Sequence, residues 1–300
     1  MYTDREGLEN MKVSIVTPSY NQGKFIERTI NSVLDQKVPE LEYIVMDGGS
    51  TDETVDILRK YSDKIIWKSE KDKGQTDAVN KGIRMATGEI IGWLNSDDIY
   101  YQDAISAVVK IFDEHPEVNV VYGNANHIRE DDSFIEEYYT EDFDYERLKE
   151  ICFICQPSLF FRKKLVDKYG FLDDKLQYCM DYDYWLRLGK GEKFYRLPIL
   201  IAGSRLYDDN KTLGARKKVH EEMLYMLKKN LKVIPPRWIY NLAHVIVDEQ
   251  GIPRERDGVG NPEFVNKVAD ESLHLFLKYY KYVPWKELKT IMAWKKQSKI

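Results

Sequence analysis

Two adjacent carboxylates, Asp97 and Asp98, end the stretch GWLNSDD, directly after an apolar run from Ile90 to Leu94. Paired acids at the end of an apolar run fit two roles. They can cap a following helix, because negative charge is favoured at a helix N-terminus. They can also collect oxygen ligands for a hard divalent cation. Mg²⁺ commonly takes one or two carboxylates and leaves its other positions to water and substrate phosphates. A second acid, Asp47, heads DGGSTDET. The glycines there permit a tight turn and close approach of a ligand, and Ser50, Thr51 or Asp52 can cap the next helix. Asp47 itself is left over from that structural explanation and is placed to hydrogen-bond a base or a ribose. A third acid, Asp181 in CMDYDYW, stands where a helix should begin. It fits a cap, or a general base held near a metal site. Asp183, two residues on, points to another side of that helix.

Other chemistries find little here. No G-x-x-x-x-G-K-[ST] and no strand-linked G-x-G-x-x-G occurs, so phosphate-loop and dinucleotide readings are weak. Cys152 and Cys155 form a lone C-x-x-C and Cys179 is the third cysteine. A structural zinc site would need further ligands, so packed, reduced thiols are expected.

The elements that must position the acids follow from periodicity. Short β-rich runs are expected at 12–17, 41–46, 64–67 and 89–94. Helices are expected at 24–35, near 52–61 and at 75–85, the last with Ala78, Ile83 and Met85 facing inward. Repeated strand–helix–strand units imply right-handed crossovers and a mostly parallel sheet. In such sheets, ligands bind beyond the carboxyl ends of the strands. Three such ends carry polar clusters: Thr17-Pro18-Ser19-Tyr20-Asn21, the Asp47 turn, and Asn95-Ser96-Asp97-Asp98. Further strands are expected at 118–122, 158–161 and 193–205, with a helix at 180–189. Past Gly214 the character changes to helices. One covers 215–231, Pro235-Pro236 breaks it, and Asn261-Pro262-Glu263 makes a good helix start. A boundary falls near residue 214.

Residues 12 to about 207 resemble an inverting family-2 glycosyltransferase with a GT-A fold. The matching segments are VSIVTPSYNQGKFIERTINSVLDQ, IVMDGGSTDETVDIL, EKDKGQTDAVNKGIRMATGEIIGWLNSDD and QPSLFFRKKLVDKYGFLDDKLQYCMDYDYWLRL, in the family's order. The resemblance implies an α/β catalytic domain over 1–214, a mostly parallel sheet flanked by helices with a Rossmann-like nucleotide-binding half. A C-terminal helical region would occupy 215–300. It also implies a nucleotide-sugar donor, most often a uridine one, bound with Mg²⁺ or Mn²⁺, and a glycan or lipid-linked acceptor. Thr17 and Tyr20 match positions that hold the base, with Tyr20 as the stacking ring, and Asp47 matches the acid that hydrogen-bonds it. Lys73 and Asp77 lie in the segment that flanks the nucleotide. Asn95-Ser96-Asp97 occupies the D-x-D motif, with Asp97 as its metal-binding acid, Asn95 in place of the first Asp, and Asp98 as a helper. Asp181 matches the catalytic base, and Met180 replaces the Glu before it. Tyr207 stands where relatives often carry a His near the metal or diphosphate. Arg205 or Lys211 is then a candidate to meet the diphosphate, since cations stabilise its developing charge.

Two other classes compete. A sugar-1-phosphate nucleotidyltransferase should show an N-terminal Gly-rich phosphate loop, which Pro18-Ser19-Tyr20-Asn21 is not. A non-catalytic nucleotide-sugar-binding scaffold has no use for Asp181.

The 300 residues are 43% apolar and 32% charged, enough for a sizeable core and a solvated surface. The net charge of −5 gives no global reason to expect nucleic acid. The polar opening MYTDREGLENMK does not read as a signal peptide, and no apolar run approaches the roughly 20 residues of a spanning helix. A cytosolic protein is expected, either free or on the inner face of the plasma membrane. Self-association as a homodimer is compatible with this. Residues 278–300 contain seven lysines and one glutamate, with Trp285 and Trp294 among them. Such a segment suits either a helix packed on the protein or one lying on an anionic membrane.

Overall fold

The computed structural model describes residues 11–207, 213–256 and 258–297. The chain divides into two compact units, Met1–Asp208 and Asp209–Ile300. The first unit opens with β1 (Val13–Ser19), α1 (Gly23–Leu34), β2 (Leu41–Asp47), α2 (Thr54–Lys60), β3 (Ile66–Ser69), α3 (Gln75–Met85) and β4 (Ile90–Trp93). It continues with β5 (Ile99–Tyr100), α4 (Ala104–Glu114), β6 (Val120–Ile128), β7 (Phe134–Glu137), α5 (Tyr145–Glu150), β8 (Leu159–Arg162), α6 (Leu165–Tyr169), α7 (Met180–Gly189) and β9 (Phe194–Arg205).

One sheet runs in the order β3-β2-β1-β4-β8-β6-β9-β5, with β7 paired to β6. β1, β2, β3 and β4 are parallel, and so are β6 and β9. β8 joins the two groups antiparallel to both. Parallel neighbours need a crossover, and the helices supply it. β1 is central and buried along its whole length; Val13, Ile15 and Val16 supply its apolar part, and the hydroxyls of Ser14 and Thr17 are satisfied by Glu42 and Tyr43. α1 sets Phe25, Ile26, Ile30 and Val33 at helical spacing and buries them.

Register aligns the strand ends. Ser19 pairs with Asp47, and Asp47 pairs with Ser69. Val16 pairs with Trp93, and the Leu94 amide donates to the Val16 carbonyl at 3.0 Å. Asn95 to Asp98 therefore leave the sheet beside the end of β1. The three polar clusters expected on one rim do share that rim.

Three sequence expectations need correction. No helix follows Asp98; the chain enters β5, and α4 starts only at Ala104. Capping is thus not what Asp97 and Asp98 do. Met85 is 41% exposed, because it is the last residue of α3, past the turn that faces the sheet. β6 runs to Ile128, well beyond the expected end at Tyr122. Its polar second half (Asn124, Asn126, His127) hid it, and pairing with β9 holds it with two register shifts.

The second unit consists of α8 (Arg216–Leu231), α9 (Pro236–Glu249), the short hairpin β10 (Glu255–Arg256) and β11 (Val259–Gly260), α10 (Pro262–Tyr280) and α11 (Trp285–Gln297). Pro236 opens α9, where a missing amide costs nothing. The Asn261 side chain caps α10 by accepting from the Glu263 amide at 3.0 Å. Among the described residues, no helix is long and apolar enough to cross a membrane.

Candidate active site

The β1 and β2 ends are tied together loop to loop. The Asn21 amide donates to Ser50 Oγ at 2.7 Å, and Asn21 Oδ1 accepts from the Thr51 amide at 2.8 Å. Asn21 takes a left-handed φ of 51° to do so, a conformation Asn tolerates better than most residues. Gly49 has φ 85°, so the turn after Asp47 needs a glycine there. Asp47 is 2% exposed and is the knot of this turn. Its Oδ2 accepts from the amides of Gly49 (3.1 Å) and Ser50 (2.9 Å) and from Ser69 Oγ (2.6 Å), while Oδ1 accepts from Ser50 Oγ (2.5 Å). Thr17 is fully buried and shares a 3.1 Å hydrogen bond with the Tyr43 hydroxyl. Tyr20, by contrast, is 60% exposed. The rim therefore offers an open aromatic ring next to a rigid, buried carboxylate.

α3 begins at the same rim. Lys73 is exposed and its amide donates to Asp77 Oδ2 at 3.2 Å. Asp77 also pairs with Lys81 at 3.1 Å. Gln75 reaches the β4 end, where its side-chain amide donates to Asn95 Oδ1 at 2.8 Å.

Asn95 is the hub of that end. Besides Gln75, its Oδ1 accepts from the Trp93 indole at 2.9 Å. Its Nδ2 donates to Gln156 Oε1 at 2.9 Å and to Asp98 Oδ2 at 3.3 Å. All of its capacity is used within the protein, and its donors meet acceptors that an aspartate would repel. An Asn95→Asp change, which would restore the expected D-x-D, replaces two donors with a charge beside buried Asp98. It is expected to cost about 1–3 kcal/mol, a fall of roughly 2–10 °C in Tm by thermal denaturation, with no gain in activity.

Asp98 and Arg205 depart from their expected roles for the same reason, burial. Asp98 is 3% exposed, and its Oδ1 accepts from the Arg205 amide at 2.9 Å. Burial, and next the charge of Asp97, push its pKa well above the ordinary carboxylate range. It is a buried fastener of β9 to the β4 end, not an available ligand. Arg205 is fully buried. Its Nε donates to the Asp97 carbonyl at 2.6 Å, its Nη1 to the Arg129 and Glu130 carbonyls at 2.7 and 3.1 Å, and its Nη2 pairs with Asp132 at 2.5 Å. An arginine so invested holds the 129–132 turn against the acidic loop and is not free to meet a diphosphate. Lys211 lies outside the described residues.

Asp97 is different. It is partly open, and its Oδ2 accepts from the Tyr207 hydroxyl at 2.8 Å. Tyr207 packs its ring on Phe25 at 4.9 Å. Burial raises the pKa of Asp97, and the hydrogen bond from Tyr207 opposes that rise. One partly open carboxylate fits a cation that keeps waters and shares its shell with a substrate phosphate. Among the described residues, no group of three or more His, Cys, Asp or Glu side chains is gathered for a metal.

Asp181 sits in the first turn of α7, partly open, with Oδ1 accepting from the Tyr182 amide at 2.8 Å. Asp183 is fully buried and paired with Arg187 at 2.8 Å, a structural role. The loop 152–156 lies against the β4 end, where Gln156 meets Asn95 and Trp93. Burial pushes the Cys155 thiol up, and the charges of both Asp98 and Asp181 push it further. Its neighbour Gln156 holds Asn95 and donates to the Trp93 carbonyl at 2.7 Å. Burial likewise pushes the Cys152 thiol up to about 12, so both thiols of the C-x-x-C are held protonated. Gln75 and Gln156 were missed in the sequence. Their only signal was their place inside the segments EKDKGQTDAVNKG and QPSLFF.

The sequence profile described as Glycosyl transferase family 2 matches residues 14–170. An uncharacterized glycosyltransferase of Rickettsia typhi is 28% identical over 222 residues, covering 70% of this chain and 68% of that protein. Hyaluronan synthase of Pasteurella multocida is 31% identical over 215 residues, which is 69% of this chain but 22% of the synthase. This chain thus matches only a small part of that enzyme. Residues 1-349 of S. aureus TarS in complex with UDP-GlcNAc superpose with a TM-score of 0.60 at 17% identity, covering 96% of this chain and 89% of that one. The mannosyltransferase PcManGT of Pyrobaculum calidifontis, in complex with GDP-Man and Mn²⁺, gives 0.59 at 17% identity over 97% and 86%. With its curled, mostly parallel sheet and its acids gathered at the strand ends, the chain belongs to the family 2 glycosyltransferases and has the GT-A fold.

Proposed function

We propose that this glycosyltransferase is metal-dependent and inverting. It moves a sugar from a uridine-type nucleotide-sugar donor to a hydroxyl of a glycan or lipid-linked acceptor. The observation that carries this reading is the rim of the sheet, where the partly open Asp97, held by the Tyr207 hydroxyl at 2.8 Å, shares the aligned strand ends with buried Asp47 and exposed Tyr20. TarS bound to UDP-GlcNAc and PcManGT bound to GDP-Man and Mn²⁺ support the donor class and the cation. Similarity to hyaluronan and chondroitin synthases supports a glycan acceptor. Residues 1–214 would form the catalytic domain and 215–300 a helical C-terminal region.

Asp97 would hold the Mg²⁺ or Mn²⁺, which when bound neutralises charge developing on the departing diphosphate. Tyr20 stacks on the base. Thr17 and Asp47 shape its pocket from within, since both are buried and committed to protein partners. Lys73 and Asp77 flank the nucleotide. Asn95 acts indirectly: it holds the loop that presents Asp97. Asp181 takes the proton from the acceptor hydroxyl, which attacks the anomeric carbon from the face opposite the leaving group. Configuration therefore inverts. The presence of Asp181 argues against a mere scaffold.

Screening UDP- and GDP-sugars for Mg²⁺-dependent binding and hydrolysis tests the reading. A UDP-sugar is expected to bind and hydrolyse; no binding by any of them would sink it. Base–aromatic stacking is worth about 1–3 kcal/mol. Tyr20→Ala is therefore expected to weaken donor binding by about 5- to 150-fold, with Tyr20→Phe close to the parent, both read by calorimetry.

A further inference from the structure

α11 has two faces of different chemistry. On the inner face Ile291 is fully buried, and the Trp294 ring meets that of Tyr240 in α9 at 5.0 Å. Glu287 accepts from the Tyr240 hydroxyl at 2.5 Å, and Lys295 pairs with Asp270 of α10. On the outer face Trp285, Lys286, Lys289, Met292 and Lys296 are all exposed. At about 3.6 residues per turn they occupy about one third of the circumference. Trp285 is 69% and Met292 57% exposed. The Lys289 ammonium stands over the Trp285 ring at 5.2 Å. Just upstream, Leu277 and Tyr282 are 54% and 60% exposed, beside exposed Lys278 and Lys281. The one acid of the described part of this segment, Glu287, is turned to Tyr240. A strongly basic strip is thus concentrated on a chain whose net charge is −5.

Large apolar side chains interleaved with lysines on one helix face match few partners. The cores of protein interfaces are depleted in lysine. The headgroup region of a bilayer suits both kinds of side chain at once: the apolar tips enter, while the lysine stems lie along them with their ammonium groups outward. We infer that the outer face of α11 docks on an anionic lipid bilayer surface. Trp285 and Met292 insert between headgroups, and Lys286, Lys289 and Lys296 meet the negative lipid charge. The contact is peripheral, lying in the plane of the interface.

Cosedimentation of the full chain with phosphatidylcholine vesicles, with and without about 30 mol% phosphatidylglycerol, tests this. Partitioning is expected only with the anionic vesicles, falling as salt rises. At roughly fivefold per lysine, Lys286→Gln/Lys289→Gln/Lys296→Gln should reduce it on the order of 100-fold. Trp285→Ser/Met292→Ser, which keeps the charge, should reduce it about tenfold or more. These side chains are exposed, so circular dichroism and donor hydrolysis should stay unchanged in both variants. Equal sedimentation with neutral vesicles, unchanged binding by the triple variant, no vesicle binding, or a preference for a single-stranded oligonucleotide over the vesicles would each overturn the inference.

Discussion

Asp97→Ala is expected to lower sugar transfer by about a thousandfold while leaving the fold intact. Stabilisation of a departing diphosphate by a held cation is worth several kcal/mol, and each 1.4 kcal/mol or so is tenfold in rate. Asp97 is the acid of the β4 end that remains partly open, whereas Asp98 is sealed beneath it. Removing a carboxylate whose charge burial already disfavours should leave Tm within a few degrees of the parent. Asp97→Asn separates charge from hydrogen bonding. The amide retains an acceptor for the Tyr207 hydroxyl but loses the negative charge, so it should be nearly as inactive as the alanine variant. Initial rates across a Mn²⁺ titration check this. Full activity in either variant would remove Asp97 from the metal role.

Asp181→Asn is expected to cut transfer by about 10²–10⁴-fold, the usual worth of a positioned general base. The substitution keeps an oxygen for the Tyr182 amide, so the start of α7 should survive. Donor affinity should be unchanged, because the base acts on the acceptor. Calorimetry with the donor and steady-state transfer rates separate the two effects. A variant that binds donor less well but turns over normally would mean that Asp181 lines the donor site instead.

The rim of the parallel sheet was legible because it rests on local pattern. Apolar runs of β1, β2 and β4 ended in polar clusters, and parallel register places such ends side by side. Tyr20, Asp47 and Asp97 lie in those clusters, whereas Asp181 was singled out by its place at a helix start and by the family resemblance. What the sequence did not reveal was which polar groups the protein uses on itself. Arg205 is the last residue of β9, before a polar stretch, and looks free, yet three backbone carbonyls and Asp132 take up its guanidinium. Asp98 looked like a twin of Asp97, but the Arg205 amide, a partner more than 100 residues away, binds it. The helix expected after Asp98 failed because paired acids suit a strand-end turn as well as a cap. Long-range pairing with β9 decided for a strand.

The departure at Asn95 also has a physical explanation. Asn95 collects Gln75, Trp93, Gln156 and Asp98 into one network, so α3, β4 and the 152–156 loop are fixed relative to one another through a single amide. A carboxylate at that position could accept from Gln75 and Trp93 but could not donate to the other two. The first position of the motif is therefore structural here, and in the proposed function Asp97 alone is the acid that would hold a cation.

The most direct single measurement is early-time proton NMR of the sugar released from a UDP-α-linked donor by the full chain, with Mg²⁺ or Mn²⁺ present and again in excess chelator. A cation-dependent inverting enzyme releases the β anomer first, and releases essentially nothing once the cation is removed. Early appearance of the α anomer, or equal release in chelator, would contradict it.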